Sequence, residues 1–267
     1  WWVRCDRADL LEGVEFLVRR AEARLSRFSD DSALSRLNRE REVCDPTVAR
    51  VTRRALQLRK ATRGRFDPTL GERLVELGYD RSFESLDATD DCPPGEAASL
   101  HVSVDGDAVR LRGQGALDLG GIAKGWTVDR VVEWLDERGA AETLVDGGGE
   151  LRGFGRVWPL DVGNEGPALD LQDNAVATSA TTRRRWTTTT GKTHHHIIQP
   201  SDGWPVDGSV DTAAVVAPDA TTADALATAV VVDPETVTPL LEKLDARAAF
   251  RDRDGIWWTT PDWERQR

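Results

Sequence analysis

The strongest constraint on the fold is a series of short strand candidates between residues 143 and 217. Several of them are separated by only a few turn-forming residues, which is typical of hairpins. Helical segments are interspersed without a regular strand–helix–strand alternation. The pattern therefore predicts an α+β fold with mixed, largely antiparallel sheets and packed helices, and disfavours a doubly wound parallel sheet. The strand candidates are residues 143–146, 150–154, 157–162, 175–179, 194–198 and 210–217.

The helix predicted between Asp45 and Gly64 has the clearest end signals. Asp45 can accept N–H bonds as the N-cap, Pro46 fits the first helical position, and Gly64 can end the helix. Apolar periodicity and turn residues predict the remaining elements. These are helices over residues 7–27 and 122–138, a helix around Asp224, a helix from Pro234, and hairpins over residues 101–112 and around residues 252–255.

No internal repeat or linker divides the chain, so residues 1–267 are predicted to form a single compact domain. The acidic stretch 84–99 contains Pro93-Pro94-Gly95 and is predicted to be a surface loop. Cys5, Cys44 and Cys92 are widely spaced and odd in number, which indicates neither a disulfide framework nor a thiolate metal site.

Charge and hydropathy exclude several partners. The 35 basic and 46 acidic side chains give a formal charge of −11, which argues against general affinity for nucleic acid or an anionic membrane. No apolar run approaches the roughly 20 residues that cross a bilayer. The sequence begins at Trp1 and contains no methionine. We therefore expect the natural start, with any signal or lipid anchor, to be missing, and membrane association only through such an anchor.

Asp224 and Thr228 are four residues apart in an alanine-rich segment, so a helix places both side chains on one face. A carboxylate and a hydroxyl with no nearby His or Cys suit a hard cation such as Mg²⁺. The alternative is structural: Thr222 would cap the helix, and Asp224 would favour its first turn electrostatically.

The segment Ala116–Trp126 is predicted to be a strand, a glycine turn and a helix start. Free N–H groups at such a helix start can bind phosphate, and Lys124 would add a positive charge. The spacing fits neither the dinucleotide fingerprint nor the P-loop. A tight turn with a solvated lysine is the alternative. Thr178-Ser179, at the end of a predicted strand, could supply hydroxyl groups but is a weak signal alone.

The run His194–His196 leaves three interpretations open. In a strand, His194 and His196 would share a face and His195 would point away. Zinc would need a further strong ligand, and no H-x-x-x-H pattern or cysteine lies nearby. One histidine acting as a base or hydrogen-bond donor is favoured over a zinc site and over a surface histidine run.

Taken in chain order, these segments resemble the FAD:protein FMN transferase (ApbE) family. The N-terminal match is Ser-Arg-Phe-Ser-Asp-Asp-Ser-Ala-Leu-Ser-Arg-Leu-Asn at 26–38, against Ser-Thr-Tyr-x-x-Asp-Ser-Glu-Ile-Ser-x-Leu-Asn in the family. The other matching segments are Phe66–Gly71, Asp118–Gly125, Gly148-Gly149-Glu150, Thr178-Ser179, His196-Ile197-Ile198-x-Pro200 and Ala223–Ala229. Any one is weak, whereas seven in order are a specific signal.

The resemblance implies an ApbE-like, T-fold-like enzyme that takes FAD as its substrate. It would transfer FMN to a Ser or Thr hydroxyl of an acceptor flavoprotein, such as a redox or respiratory subunit, and release AMP. Mg²⁺ would be the cofactor, held by Asp224, Thr228 and the Ala123 carbonyl. The family also implies an extracytoplasmic or membrane-anchored location, while the sequence leaves a cytoplasmic one open.

The resemblance also assigns residues to flavin binding and catalysis. Asp224 would act through the metal, and His196 would activate the acceptor hydroxyl. Asp67 and Thr69 would line the adenosine or ribityl region, and Phe28 would stack on a ring of the ligand. The full set expected to bind the flavin nucleotide is Phe28, Asp67, Thr69, Asp118, Lys124, Thr127, Ser179 and His196.

Departures from the family pattern leave the predicted metal ligands intact. Gln199 replaces the usual Asp, Ala180 replaces Gly, and Phe28 replaces Tyr. Two other functions remain open. Water could replace the acceptor hydroxyl, giving a pyrophosphatase that converts FAD to FMN and AMP, or the chain could bind flavin without catalysis.

Overall fold

The computed structural model describes residues 1–86, 89–90, 99–163, 166–261 and 263. The helices in this part of the chain are α1 (Leu11–Leu25), α2 (Ala33–Glu40), α3 (Pro46–Ala61), α4 (Gly71–Glu76), α5 (Ala123–Asp136), α6 (Ala220–Val232) and α7 (Pro234–Leu241). The strands are β1 (Trp2–Cys5), β2 (Glu42–Cys44), β3 (His101–Asp105), β4 (Ala108–Arg112), β5 (Thr143–Asp146), β6 (Glu150–Phe154), β7 (Trp158–Asp161), β8 (Ala168–Leu171), β9 (Ala175–Ala180), β10 (Arg185–Thr187), β11 (Thr193–His195), β12 (Val210–Ala217), β13 (Arg247–Asp252) and β14 (Trp257–Thr259).

A seven-stranded sheet in the order β1-β5-β6-β9-β12-β13-β14 forms the centre of the fold. Each neighbouring pair in it is antiparallel. A three-stranded sheet, β2-β4-β3, and the hairpins β7–β8 and β10–β11 complete the described sheets. The predicted α+β fold with largely antiparallel sheets is confirmed.

Helix α6 packs on β9, β12 and α5. It is buried on all sides, and Thr228 is its single residue that is not fully buried. This position explains the composition of the helix, because alanine lets neighbouring backbones approach closely while valine and leucine fill the remaining space. A polar side chain on a helix enclosed in this way must bond to the surrounding protein or face a cavity.

Helix α3 has the predicted ends. The Asp45 carboxylate accepts hydrogen bonds from the N–H groups of Thr47 and Val48 at 2.9 and 3.0 Å, and Pro46 is the first helical residue. Gly64 has φ +80° and its N–H donates to the Arg59 carbonyl at 2.8 Å. The sequence signals at both ends of this helix are confirmed.

Other boundaries differ from the predictions. The helix predicted over residues 7–27 begins with a 3₁₀ turn, Ala8–Leu10, and α1 proper ends at Leu25. The strand predicted over residues 194–198 ends at His195. Among the elements that were not predicted, α2 and α4 are short helices, and β1, β2, β8 and β10 are strands of three or four residues. Cys92 and most of the acidic stretch 84–99 lie outside the described residues.

In the described ranges, no helix combines the length and the apolar character that crossing a membrane requires.

Candidate active site

A cavity of about 600 Å³ opens where the starts of α5 and α6 meet β9, α1 and the segment after β11. It collects residues that are far apart in the sequence. Of the eleven predicted site residues, all but Thr69 line it. These ten are Phe28, Asp67, Asp118, Ala123, Lys124, Thr127, Ser179, His196, Asp224 and Thr228.

Thr69 lies outside the cavity wall and supports Asp67. Its N–H and hydroxyl groups both donate to Asp67 Oδ1, at 2.9 and 2.7 Å. The other carboxylate oxygen, Oδ2, lies 2.9 Å from Arg59 Nε. Because the protein holds both oxygens, Asp67 presents a fixed carboxylate at the cavity wall. Thr69 orients this carboxylate and does not line the cavity itself.

The helix that carries Asp224 and Thr228 is fixed at its start by two other aspartates. Asp219 is the N-cap, and its carboxylate accepts from the Thr222 N–H at 2.7 Å. Asp129 of α5 accepts from the N–H groups of Ala220 and Thr221, both at 2.9 Å. Thr222 is therefore not the cap, and Asp224 lies beyond the first turn. The structural alternative for these residues is wrong.

A glycine brings the two helices of the site together. A Cβ atom on Gly125 of α5 would lie 2.1 Å from the Ala220 carbonyl oxygen, so only glycine fits this helix contact. The close approach also lets the Gly125 N–H donate to Asp224 Oδ2 at 3.1 Å. The start of α5 is thus adjacent to the predicted metal ligand.

Lys124 and Glu150 form an ion pair beside Asp224. Glu150 is 1% exposed, and its second oxygen, Oε2, has no hydrogen-bond partner among the described residues. Burial, together with the charge of Glu150, raises the pKa of Asp224 above its ordinary value, while Lys124 opposes the shift. The alternative of a solvated Lys124 is wrong. Two carboxyl groups therefore share one ammonium group, so a ligand that brings positive charge would favour the ionised form of Asp224.

The oxygen atoms around Asp224 suit a hard divalent cation such as Mg²⁺. Thr228 Oγ1 lies 3.1 Å from Ser179 Oγ, and the Thr127 hydroxyl donates to the Ala123 carbonyl at 2.7 Å. Carboxylate, hydroxyl and carbonyl oxygens are the ligands that such cations prefer. Within the described ranges, no three His, Cys, Asp or Glu side chains form a metal-binding group. A cation here would therefore combine one carboxylate with neutral oxygens and water.

The three histidines have different environments. His194 and His195 are buried, and His195 Nε2 lies 3.1 Å from the Val206 carbonyl oxygen. Because β11 ends at His195, the chain turns and the half-buried His196 ring faces the cavity. His194 lies against Trp186 and His196 against Tyr79, and the Trp186 and Tyr79 rings stack on each other. The surface-run alternative is wrong, because His194 and His195 are buried.

Burial is the main cause of an unusual pKa at His196. It lowers the pKa to about 3, and the positive charge of Arg184 adds to the effect. The imidazole is therefore neutral near pH 7. Its Nδ1 atom is buried and has no hydrogen-bond partner among the described residues. The ring can accept a hydrogen bond or a proton from a ligand.

The cavity-wall residues that sequence reasoning did not assign to the site include Arg27, Tyr79 and the charge partner Glu150. Arg27 Nε pairs with Asp118 Oδ2 at 2.6 Å, and Asp118 Oδ1 accepts from the Gly120 N–H at 2.8 Å. Glu150 belongs to a recognised Gly-Gly-Glu motif, so its acidic side chain beside three glycines was an available signal. Arg27 contacts Tyr79 and Asp118, which lie 52 and 91 positions further along the chain, and no local sequence pattern predicts these contacts.

Comparisons with known proteins were made for both sequence and structure. The model of the ApbE family matches residues 4–250. The FAD:protein FMN transferase of Treponema pallidum is 31% identical over 254 residues, which cover 82% of this chain and 70% of that protein. The enzyme of the same name from Haemophilus influenzae is 28% identical over 244 residues, which cover 81% of this chain and 70% of that protein.

Two solved structures have similar folds. The ApbE protein from Thermotoga maritima superimposes with a TM-score of 0.85 at 24% identity, covering 98% of this chain and 93% of that one. The apo form of the flavinyl transferase ApbE from Pseudomonas stutzeri has a TM-score of 0.83 at 24% identity, covering 98% of this chain and 92% of that one. At this identity the likeness shows the shared fold.

Proposed function

The chain belongs to the ApbE family, and on that premise we propose that it is a FAD:protein FMN transferase. It would transfer FMN from FAD to a Ser or Thr hydroxyl of an acceptor protein in a Mg²⁺-dependent reaction that releases AMP. The names of its relatives support the reaction class. The observation that carries the proposal is that Asp224, Thr228 and the Lys124–Glu150 pair line one cavity that is large enough for a nucleotide.

The proposed reaction is an in-line displacement at the phosphorus atom of the FMN half. The acceptor oxygen forms a new bond to phosphorus, the bond to the bridging diphosphate oxygen breaks, and AMP leaves with that oxygen. Such reactions depend mainly on positioning and on neutralising charge. Bound Mg²⁺, held by Asp224, Thr228 and the Ala123 carbonyl, would supply positive charge to the diphosphate.

The protein's own residues would position the two reactants. Lys124 and Gly121 line the cavity, and the Lys124 ammonium and the Gly121 N–H would bind phosphate oxygens. His196 is neutral, so its ring has a lone pair that can take the proton of the acceptor hydroxyl. A nearby diphosphate would favour the resulting imidazolium. Asp67, Asp118, Thr127 and Ser179 would hold the nucleotide at the remaining walls.

We also propose that residues 1–267 form one ApbE-like domain. One hydrophobic cluster includes buried residues from Leu25 in α1 to Ala248 in β13, which supports a single folding unit. The acceptor would be a redox or respiratory flavoprotein subunit that presents a Ser or Thr at the cavity mouth.

Incubation with FAD, Mg²⁺ and a flavin-acceptor domain tests the function. The acceptor should become covalently fluorescent on a denaturing gel, with one AMP released per flavin attached. Asp224→Ala should abolish labelling, whereas Asp136→Ala, at an exposed position in α5, should leave it unchanged. AMP release without labelling would identify a FAD pyrophosphatase instead. FAD binding without AMP release would identify a non-catalytic flavin-binding protein.

A further inference from the structure

We infer that Arg27 binds the carbonyl edge of the flavin ring system and thereby selects the FMN half of the substrate at this wall of the cavity. The inference rests on the proposed function and adds a specificity residue to it. Arg27 stands where the family motif described above has threonine. Its guanidinium is therefore a property of this chain and not of the shared motif.

The guanidinium is held in one orientation by two aromatic rings and two polar contacts. Its central carbon lies 4.2 Å from the Phe28 ring centroid and 4.5 Å from the Tyr79 ring centroid. Nε pairs with Asp118 Oδ2 at 2.6 Å, and Nη1 donates to the Tyr79 carbonyl at 2.6 Å. The two ring centroids are 5.4 Å apart, so the rings form a corner against the guanidinium. With two nitrogens bonded and this corner beside it, the planar group is preorganised.

The third nitrogen of Arg27 has no acceptor in the part of the chain that the structure describes. Nη2 is buried and lacks a hydrogen-bond partner among the residues that the structure describes, although the side chain, at 9% exposure, lines the cavity. A buried N–H group without an acceptor is unfavourable, and native proteins rarely leave one. A ligand that brings an oxygen atom to Nη2 would remove this penalty and add a charge-assisted hydrogen bond.

The position of the wall favours the flavin over the adenine ring. Tyr79 lies against His196, with ring centroids 6.5 Å apart. Because His196 is proposed to activate the hydroxyl that attacks the FMN phosphate, the FMN half should lie on this side. The pyrimidine edge of the flavin carries carbonyl oxygens at C2 and C4, whereas adenine carries an amino group and ring nitrogens. A nitrogen that only donates is matched by a carbonyl.

Binding measurements with the two halves of the substrate test the inference. Dissociation constants for FMN and for ADP are measured in Mg²⁺ for the wild type, Arg27→Thr and Arg27→Lys. Arg27→Thr should weaken FMN binding about tenfold, the effect of one charge-assisted hydrogen bond, and change ADP binding less than about twofold. Arg27→Lys keeps the charge beside Asp118 but loses the planar fork, so it should also weaken FMN selectively.

Equal losses for FMN and ADP, or no loss for FMN, would overturn the inference. A second measurement needs no variant: the wild type is titrated with FMN analogues in which sulfur, a weaker acceptor, replaces the oxygen at C2 or at C4. One analogue should bind at least about fivefold more weakly than FMN, and equal affinities for all three would contradict the role of Arg27. Failure of the wild type to bind FAD at all would instead reject the proposed function.

Discussion

Asp129 of α5 and Thr221 of α6 are joined by two hydrogen bonds, from the Thr221 N–H at 2.9 Å and from its hydroxyl, both to Asp129 Oδ2. The other carboxylate oxygen accepts from the Ala220 N–H at 2.9 Å and from Arg152 at 2.8 Å. One buried side chain therefore sets the start of the helix whose next turn carries Asp224. This relationship connects the stability of the fold to the geometry of the site.

Asp129→Ala should destabilise the protein and reduce flavin transfer together. The substitution leaves two buried N–H groups and the Arg152 guanidinium without their acceptor, so we expect a loss of about 3 kcal/mol in the free energy of unfolding. Urea denaturation measures it. Asp136→Ala, at an exposed site on the same helix, is the matched control and should change this free energy by less than about 0.5 kcal/mol. A variant as stable as the control would show that Asp129 does not hold α6.

Asp224→Asn should stabilise the metal-free protein near neutral pH while removing its response to Mg²⁺. Burial and Glu150 raise the pKa of Asp224, so the ionised form is disfavoured in the folded state. Stability of the wild type should then fall as the pH rises above 3.8, the ordinary value of this carboxyl, and the variant should lack that contribution. Thermal unfolding between pH 4 and 8, with and without Mg²⁺, measures both effects. A similar rise of Tm with Mg²⁺ in wild type and variant would place the cation elsewhere.

The elements that sequence reasoning predicted are those with strong local signals. Asp45, Pro46 and Gly64 mark both ends of α3 through backbone chemistry that acts within a few residues. Helix α2, by contrast, has only eight residues, and its buried Ala33, Leu34 and Leu37 are too few to show a clear periodicity. Whether such a short helix forms depends on its packing against the rest of the protein.

Some features of the candidate site could likewise be predicted from local sequence, and others could not. Asp224 and Thr228 could be paired from the sequence because helix geometry relates positions four apart. Lys124 pairs with Glu150, 26 positions away, and Arg27 pairs with Asp118, 91 positions away. No local sequence rule relates residues that are so far apart. The environment of His196 was also inaccessible, because it depends on where β11 ends. Motif resemblance located the residues, whereas only the folded chain showed their charges and partners.

His196→Gln should abolish transfer and leave FAD binding within about twofold of the wild type. Glutamine retains polar contacts but cannot take the proton of the acceptor hydroxyl, so we expect kcat to fall at least about 100-fold. Single-turnover labelling and an independent FAD titration separate the two effects. Normal labelling with normal FAD affinity would eliminate the proposed role.

The same variant should alter the acid stability of the protein. Burial lowers the pKa of His196 to about 3, against 6.5 for the ordinary group. The unfolded chain therefore takes up a proton below pH 6.5 that the folded chain does not, and wild-type stability falls as the pH drops toward 3. His196→Gln should lack this contribution, and denaturation at pH 7 and pH 4.5 measures it. An identical loss of stability in both proteins would show that the His196 ring is solvated.

Gly125→Ala should separate α5 from α6 and weaken the predicted metal site. The added Cβ would lie 2.1 Å from the Ala220 carbonyl oxygen, a backbone atom that cannot move without displacing α6. We expect a destabilisation of about 2–3 kcal/mol and a loss of Mg²⁺ affinity, because the Gly125 N–H would also be drawn away from Asp224. Gly208→Ala is the matched control, since its nearest atom lies at an ordinary contact distance of 3.4 Å on a side chain. Comparing thermal unfolding and Mg²⁺ titration for the two variants tests whether close helix packing maintains the metal ligands. If Gly125→Ala bound Mg²⁺ as Gly208→Ala does, the ligands would not depend on that packing.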